Sequence, residues 1–374
     1  MKIIFAADGI FPHAVGGMQR HSRLLIESLA NYDEIELIVV HPHEGQKLFE
    51  GFKNVIECPV ASRPLKRQYI LECYDLSKRI LDIVMRFEDA VVYSQGLAVW
   101  ANIESIGYRV IINPHGLESY QSIGLRNKLI GLPFKYIFDY LFKHSRYIVS
   151  LGGKLTGILQ YRVPNNKEKI VVIPNGTRIN GTAGVEKNFE YPLKCVFVGR
   201  FAYNKGIDIL MEAADTLHTR AEGIFEFHLV GKGPLYEKYI QGNTPPNVTF
   251  HGFLEDDELE NLYREGDLFV LPTLFEGMPT VILEAMKYGM PVVVTDVGAT
   301  TELVDSENGY IIEKNDPAGL VKTLIDFSEL PVEQKQALSV NSFAKVKSRF
   351  TWEKIAARHI ELFKNLHNEM HEEY

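Results

Sequence analysis

Residues 275–286 read FEGMPTVILEAM, in which two carboxylates, Glu276 and Glu284, bracket a glycine, a proline and an aliphatic run. A strand-like run, DLFVLPT (267–273), precedes this stretch and KYGMPVVVT (287–295) follows it, so the spacing predicts strand, loop, short helix, strand. Pro279 suits the first helical position, where a missing N–H costs nothing, and Gly289 suits the position just past the helix end. A helix opening at Gly277-Met278-Pro279 would aim unpaired amides and a positive dipole end outward, where an anion is favoured. Glu276 would stand beside that anion, and Glu284 over a turn into the helix. Elsewhere, Arg200 follows CVFVG, and Lys205-Gly206 follows on the same loop. A planar guanidinium fork and a point charge held together suit a diphosphate. His115-Gly116 follows RVIINP, and Gly16-Gly17 follows the first apolar run, permitting close backbone approach to a ligand. Each feature also has a plain structural counterpart: a surface carboxylate, a solvated cation, a turn histidine, a helix-entry turn. Gly231 and Gly233 in FHLVGKGP make an incomplete glycine pattern that no dinucleotide fingerprint follows.

The elements that must position these residues alternate along the whole chain. KIIFAAD, ELIVV, AVVYSQG, YRVIINP and YIVSL in the first half, and CVFVG, FHLVG, VTFHG, DLFVLPT, PVVVTD and GYII in the second, are short apolar runs separated by amphipathic segments. Strands alternating with helices predict parallel sheets covered on both faces, here in two series. In open parallel sheets ligands gather at the carboxyl ends of the strands, which is where the candidates above fall. The stretch 173–192, IPNGTRINGTAGVEKNFEYP, is the candidate linker, and TWEKIAARHIELFKNLHNEM ends the chain as a long helix.

Length and composition narrow the class. A chain of 374 residues exceeds the size at which one core normally splits, and 46% hydrophobic with 24% charged residues fits a globular protein. No apolar run approaches the roughly 20 residues that span a bilayer, and MKIIFAAD meets an aspartate too early for a signal peptide, so a cytoplasmic location is expected. The scattered Cys58, Cys73 and Cys195 have neither zinc spacing nor a disulfide framework. A net charge of −8 argues against a nucleic-acid partner, but residues 1–180 carry +5 and the remainder −13. Two segments of this basic half, 62–87 and 124–149, mix Lys and Arg with Leu, Ile, Phe and Tyr. Such segments are either ordinary covering helices or surfaces for an anionic membrane.

Taken in order, VGGMQRHSRLLIESLA, INPHG, VIPNGT, FVGRFAYNKGIDILMEAA, HLVGKGP, VTFHGF, LPTLFEGMPTVILEAM, PVVVTDVGATTEL, ENGYII and TWEKIA resemble the retaining glycosyltransferases of family 4. FEGMPTVILEAM matches that family's signature of Glu, seven residues, Glu. The resemblance implies an α/β protein of GT-B fold, with two doubly wound Rossmann-like domains facing each other across a cleft. An acceptor-side domain would occupy 1–176 and a nucleotide-sugar donor domain 177–350, with 351–374 as a helix packing back toward the first. The implied reaction moves a hexose-type sugar from a nucleotide-sugar, with UDP first and GDP next, to a hydroxyl of a glycan or lipid-linked acceptor. It retains anomeric configuration and serves cell-envelope polysaccharide, lipopolysaccharide or glycolipid synthesis. By the same resemblance Arg200 and Lys205 hold the diphosphate, and Glu284 the ribose hydroxyls. Glu276 contacts the donor sugar, helped by the amides of Gly277 and Met278 ahead of Pro279. Gly16 and Gly17 approach the phosphate, His115 lies beside the donor sugar, and Phe253 and Leu254 flank the base through backbone groups. The family glutamate after the paired glycines is here Gln19, which leaves the acceptor contacts open. No Asp-x-Asp occurs, so metal-independent transfer with no cofactor is expected. The alternatives are a nucleotide-sugar epimerase or hydrolase of the same architecture, or a non-catalytic nucleotide-sugar-binding protein.

Overall fold

In a computed structural model, which describes residues 1–14, 16–61, 69–121, 124–179, 187–242 and 244–372, the KIIFA run forms a strand whose Ile3, Ile4, Phe5 and Ala6 are all fully buried. An unbroken apolar run is what a central strand covered on both faces requires. It anchors one of two parallel sheets.

The first sheet contains β1 (Lys2–Ala6), β2 (Glu36–His41), β3 (Val55–Pro59), β4 (Val91–Gln95), β5 (Val110–Asn113), β6 (Tyr147–Ser150) and β7 (Ile170–Val172). Its order is β3-β2-β1-β4-β5-β6-β7, parallel throughout. The second contains β8 (Leu193–Val198), β9 (Phe225–Val230), β10 (Val248–Gly252), β11 (Leu268–Leu271), β12 (Val292–Thr295) and β13 (Gly309–Ile312), ordered β10-β9-β8-β11-β12-β13 and also parallel. The apolar alternation located every strand of the second sheet but missed β3 and β7 in the first. Both are edge strands: β3 is only half-buried and carries Glu57, and β7 is three residues long, so neither has the continuous apolar run of an interior strand.

The chain divides into two units, Met1–Gly176 with Trp352–Tyr374, and Thr177–Thr351. Thr351 belongs to the second unit, one residue beyond the sequence boundary, because it bridges to Thr177, whose N–H also bonds Phe350 O at 2.8 Å. The loop carrying the first boundary lies within the candidate linker, of which 180–186 fall outside the described residues.

The terminal helix, Trp352–Glu372, returns to the first unit. It buries Trp352, Ile355, Ala356, His359, Ile360, Leu362, Phe363 and Leu366, a helical stripe, against a core that includes Leu25, Ile26 and Leu29 of the helix Gly17–Leu29. Among the described residues no helix is long and apolar enough to cross a membrane.

Candidate active site

In both sheets the strand order reverses at one point, between β1 and β4 in the first and between β8 and β11 in the second. Connections leave to opposite sides there, so the loops after the two strands diverge and leave a crevice at their carboxyl ends. In the second unit those loops carry Arg200, Lys205 and Glu276. A glycine sets their contact: Gly206 sits at φ +68, where a Cβ would lie 1.9 Å from the Pro272 carbonyl oxygen, so no other residue fits without a backbone shift. The turn Tyr203–Lys205 thereby docks on the loop after β11, with Asn204 O accepting from Leu274 N–H at 2.8 Å and from Thr273 Oγ1 at 2.8 Å. As a result Lys205 Nζ lies 2.5 Å from Glu276 Oε1, and the Thr273 hydroxyl, whose single proton is shared between Asn204 O and Glu276, lies 3.0 Å from the same oxygen. The Lys205 and Glu276 side chains are only 23% and 10% exposed, so this pair is largely shielded from water. Arg200 is exposed and pairs with no carboxylate among the described residues.

The helix after Glu276 runs Thr280–Met286. It starts later than the sequence suggests: Pro279 is the residue before the helix, in extended conformation at φ −71 and ψ 109. The cause is the loop after β12. Ala299 N–H bonds the Gly277 carbonyl at 2.8 Å, and Gly298, at φ +53, packs so closely that a Cβ would lie 2.3 Å from Glu276 O. These contacts hold 276–277 as loop, so the amides of Gly277 and Met278 are not first-turn helix amides. At the other end Gly289, at φ +72, closes a Schellman motif: Met290 N–H reaches Ala285 O at 3.3 Å, and Gly289 N–H reaches Met286 O at 2.9 Å. Glu284 is half-buried on this helix and accepts from the hydroxyl of the buried Tyr263 at 3.3 Å. Phe253, 72% exposed, and Leu254 follow the edge strand β10, two strands from the reversal point.

In the first unit, the turn after β5 carries His115 at φ +58, an uncommon conformation for a residue with a side chain. Its N–H donates to Asn113 Oδ1 at 2.9 Å, and its Nε2 bonds Gln95 Oε1 at the end of β4. The His21 ring meets it edge-on at 4.8 Å, and Trp352 packs on His21 at 5.2 Å. Burial, reinforced by His359, pushes the His115 pKa down to about 3, so the ring is a neutral imidazole at pH 7. Gly16 precedes the helix Gly17–Leu29 in extended backbone; its Cβ position is taken by Gln19 Oε1 at 2.3 Å, whereas a Cβ on Gly17 would meet nothing within 4 Å.

The sequence reading passed over Asp8, which ends the first apolar run and sits at the reversal point of the first sheet. Its Oδ1 is buried without a hydrogen bond among the described residues. Burial pushes its pKa up to about 6, against the opposing pull of a backbone bond and of Gln19. Only its place at a strand's carboxyl end could have marked it. Because the folded state holds this proton more tightly than the unfolded chain, stability falls as pH rises from about 4 to about 6, and the loss is complete above that. Asp8→Asn is therefore expected to stabilise the protein by about 2–3 kcal/mol at pH 7.5 and to have no such effect at pH 4. Thermal unfolding at the two pH values checks this, and an equal effect at both would contradict the burial cost.

Two doubly wound parallel sheets, each with candidate groups at its reversal point, define a two-domain α/β protein of the GT-B class. Residues 192–329 match the family described as Glycosyl transferases group 1, and residues 15–180 match Glycosyltransferase Family 4. An uncharacterized glycosyltransferase of Methanocaldococcus jannaschii is 30% identical over 97% of this chain and 98% of its own length. The GPI3 subunit of the Saccharomyces cerevisiae phosphatidylinositol N-acetylglucosaminyltransferase is 22% identical over 98% of this chain and 83% of its own. In fold, the chain is similar to sucrose-phosphate synthase of Thermosynechococcus elongatus (TM-score 0.75, 18% identity, 98% of both chains). It is also similar to Anabaena HepE in complex with UDP-glucose (TM-score 0.67, 18% identity, 98% of this chain and 100% of that one). The chain belongs to glycosyltransferase family 4, and it is a glycosyltransferase.

Proposed function

We propose that this enzyme transfers a hexose-type sugar from a nucleoside diphosphate sugar, UDP before GDP, to a hydroxyl of a glycan or lipid-linked acceptor, with retention and without a metal. The observation that carries the reading is the Lys205–Glu276 pair, which joins the loops after β8 and β11 at the reversal point of the second sheet, with Arg200 exposed on the first of those loops. In the reaction the bond between the anomeric carbon and the diphosphate oxygen breaks, and its electron pair stays on the diphosphate. The acceptor oxygen attacks the same face of the sugar, and its proton passes to the leaving phosphate oxygen. Cations placed where that negative charge grows stabilise the transition state, which gives Arg200 and Lys205 their role. Glu276 accepts from sugar hydroxyls beside Gly277 and Met278, and Glu284 accepts from the ribose. His115, being neutral, offers the sugar a polar contact and no positive charge. Gly17, where a Cβ would meet nothing within 4 Å among the described residues, leaves its backbone open to the donor phosphates. The backbone at Phe253 and Leu254 flanks the base.

Support for UDP comes from the UDP and UDP-glucose complexes of HepE, and support for envelope polysaccharide synthesis from relatives named for colanic acid and teichuronic acid biosynthesis. Metal independence is supported by two cations available to the diphosphate. The helix Leu125–His144 exposes Leu125, Leu129, Leu132 and Tyr136 as one stripe beside Lys128, which suits the surface of an anionic membrane. Phosphatidylglycerol vesicles at low salt should retain the enzyme, and lack of retention would remove this partner.

The donor is tested by thermal unfolding with UDP, GDP, ADP and CMP in EDTA. A nucleotide at about 100 times its Kd adds about 2.7 kcal/mol to the native state, enough to raise Tm by several degrees. UDP is expected to give the largest shift, and Glu284→Ala to weaken UDP binding at least about tenfold, the worth of one hydrogen bond to a charged group, which at the same concentration halves the shift. No shift until magnesium is added would overturn metal independence, and an unchanged shift in Glu284→Ala would remove the ribose contact.

A further inference from the structure

His115 is tied to the terminal helix, 244 residues further along the chain, by a run of buried hydrogen bonds whose direction can be read from chemistry. At one end His359 Nδ1 lies 2.8 Å from the carbonyl oxygen of Ile355. A carbonyl can only accept, so Nδ1 carries the proton, and in a neutral ring Nε2 is then an acceptor. His359 is neutral: it is fully buried, and burial holds its pKa down at about 4. Nε2 therefore accepts the hydroxyl proton of Tyr93, at 2.8 Å. The Tyr93 oxygen, its proton committed, accepts from Asn113 Nδ2 at 3.0 Å. That fixes which way the Asn113 amide faces. Its Oδ1 is left for the N–H of His115, at 2.9 Å, and this bond holds the His115 backbone at φ +58. Tyr93, Asn113 and His359 are all fully buried, so no water competes for these groups. The Asn113 amide is thus held from both sides, by the His115 N–H, which can only donate, and by the Tyr93 oxygen, whose own proton is committed to His359.

We propose that Tyr93 and His359 are positioning residues for His115: a one-directional relay, Ile355 O to His359 to Tyr93 to Asn113, sets the left-handed turn that presents the His115 ring. The terminal helix is thereby part of the catalytic apparatus of the first unit as well as of its core. This rests on the reading of His115 as a group beside the donor sugar, and the experiment separates the two.

Turnover is read as nucleoside diphosphate released from UDP-glucose, UDP-N-acetylglucosamine and GDP-mannose by wild type, His115→Ala, Tyr93→Phe, His359→Leu and the double variant. The expected result is loss of turnover in His115→Ala, a kcat at least tenfold lower in Tyr93→Phe with donor KM within twofold of wild type, and a double variant no slower than the slower single one. Normal turnover in Tyr93→Phe while His115→Ala is inactive overturns the relay alone. Normal turnover in His115→Ala overturns the reading of His115 and the relay with it. A second readout does not depend on activity or on the more disruptive His359→Leu. In 15N spectra of the histidine-labelled wild type His359 should be protonated at Nδ1 and not at Nε2, and Tyr93→Phe should move the His115 amide signal. An Nε2-protonated His359, or an unmoved His115 amide, contradicts the relay even if every variant is slow.

Discussion

Lys205→Ala is expected to lower kcat by about two orders of magnitude, close to 3 kcal/mol of transition-state stabilisation, as does removal of one donor from a shielded oxyanion site. The structure makes the expectation sharper than a missing charge alone. Lys205 Nζ lies 2.5 Å from Glu276 Oε1, and the pair bridges the loop after β8 and the loop after β11. Alanine would remove a cation from the place where the leaving diphosphate gathers charge, and would also take the Lys205 ammonium away from the Glu276 carboxylate, only 10% exposed. A carboxylate that has lost its neighbouring cation repels a diphosphate more strongly. The variant should thus show a raised KM for the donor as well as the lower kcat, whereas Lys205→Arg, which keeps the charge, should recover part of both. Steady-state kinetics with the nucleotide-sugar selected by the unfolding assay decides it. Near-normal turnover in Lys205→Ala would remove Lys205 from the catalytic account.

The second large effect concerns stability. Lys187, 4% exposed, donates to three carbonyl oxygens, those of Tyr263 at 2.9 Å, Arg264 at 2.7 Å and Gly266 at 2.6 Å. These lie at the end of the helix Asp256–Glu265, where carbonyls have no partner within the helix, and a buried cation there meets both the free acceptors and the negative dipole end. Burial pulls the lysine pKa down to about 8, so the group is still mainly charged at pH 7. Lys187→Met keeps the volume and removes all three bonds. At about 1–2 kcal/mol for each carbonyl left without a donor, the second unit should lose about 3–6 kcal/mol, or about 10 °C in Tm. The effect should also reach the site, because Tyr263, whose carbonyl Lys187 holds, is the residue that bonds Glu284. Nucleotide affinity should fall with stability in the same variant. A Tm within 2 °C of wild type would show that water or neighbouring amides satisfy those carbonyls instead, at well under about 1 kcal/mol in all.

The sequence by itself determined the local facts. Unbroken apolar runs such as KIIFA and PVVVT demanded strands covered on both faces, and the residues that follow them, Arg200, Lys205, His115 and Glu276, had to emerge at the carboxyl ends of a parallel sheet. Gly289 was legible as a helix stop because a positive φ just past a helix end is a local requirement. Edge strands β3 and β7 were not legible, since a strand with one exposed edge or face needs no continuous apolar run. The loop conformation of 276–277 ahead of the helix, which starts at Thr280 one residue after the expected Pro279, was decided by Gly298 and Ala299 from another loop.

Only the tertiary structure decided which charges meet and which are silenced. Lys205 and Glu276 are 71 residues apart and became partners because strand order places their loops side by side. Asp8 and His359 are ordinary as letters, and His115 is marked only by its place after a strand. Their pKa values depart from the ordinary because folding takes them out of water, and the desolvation of a charge depends on every atom packed around it. A linear pattern carries the periodicity that makes a strand or a helix. It does not carry the distances between elements, and Coulomb energies, hydrogen-bond direction and burial are all functions of those distances.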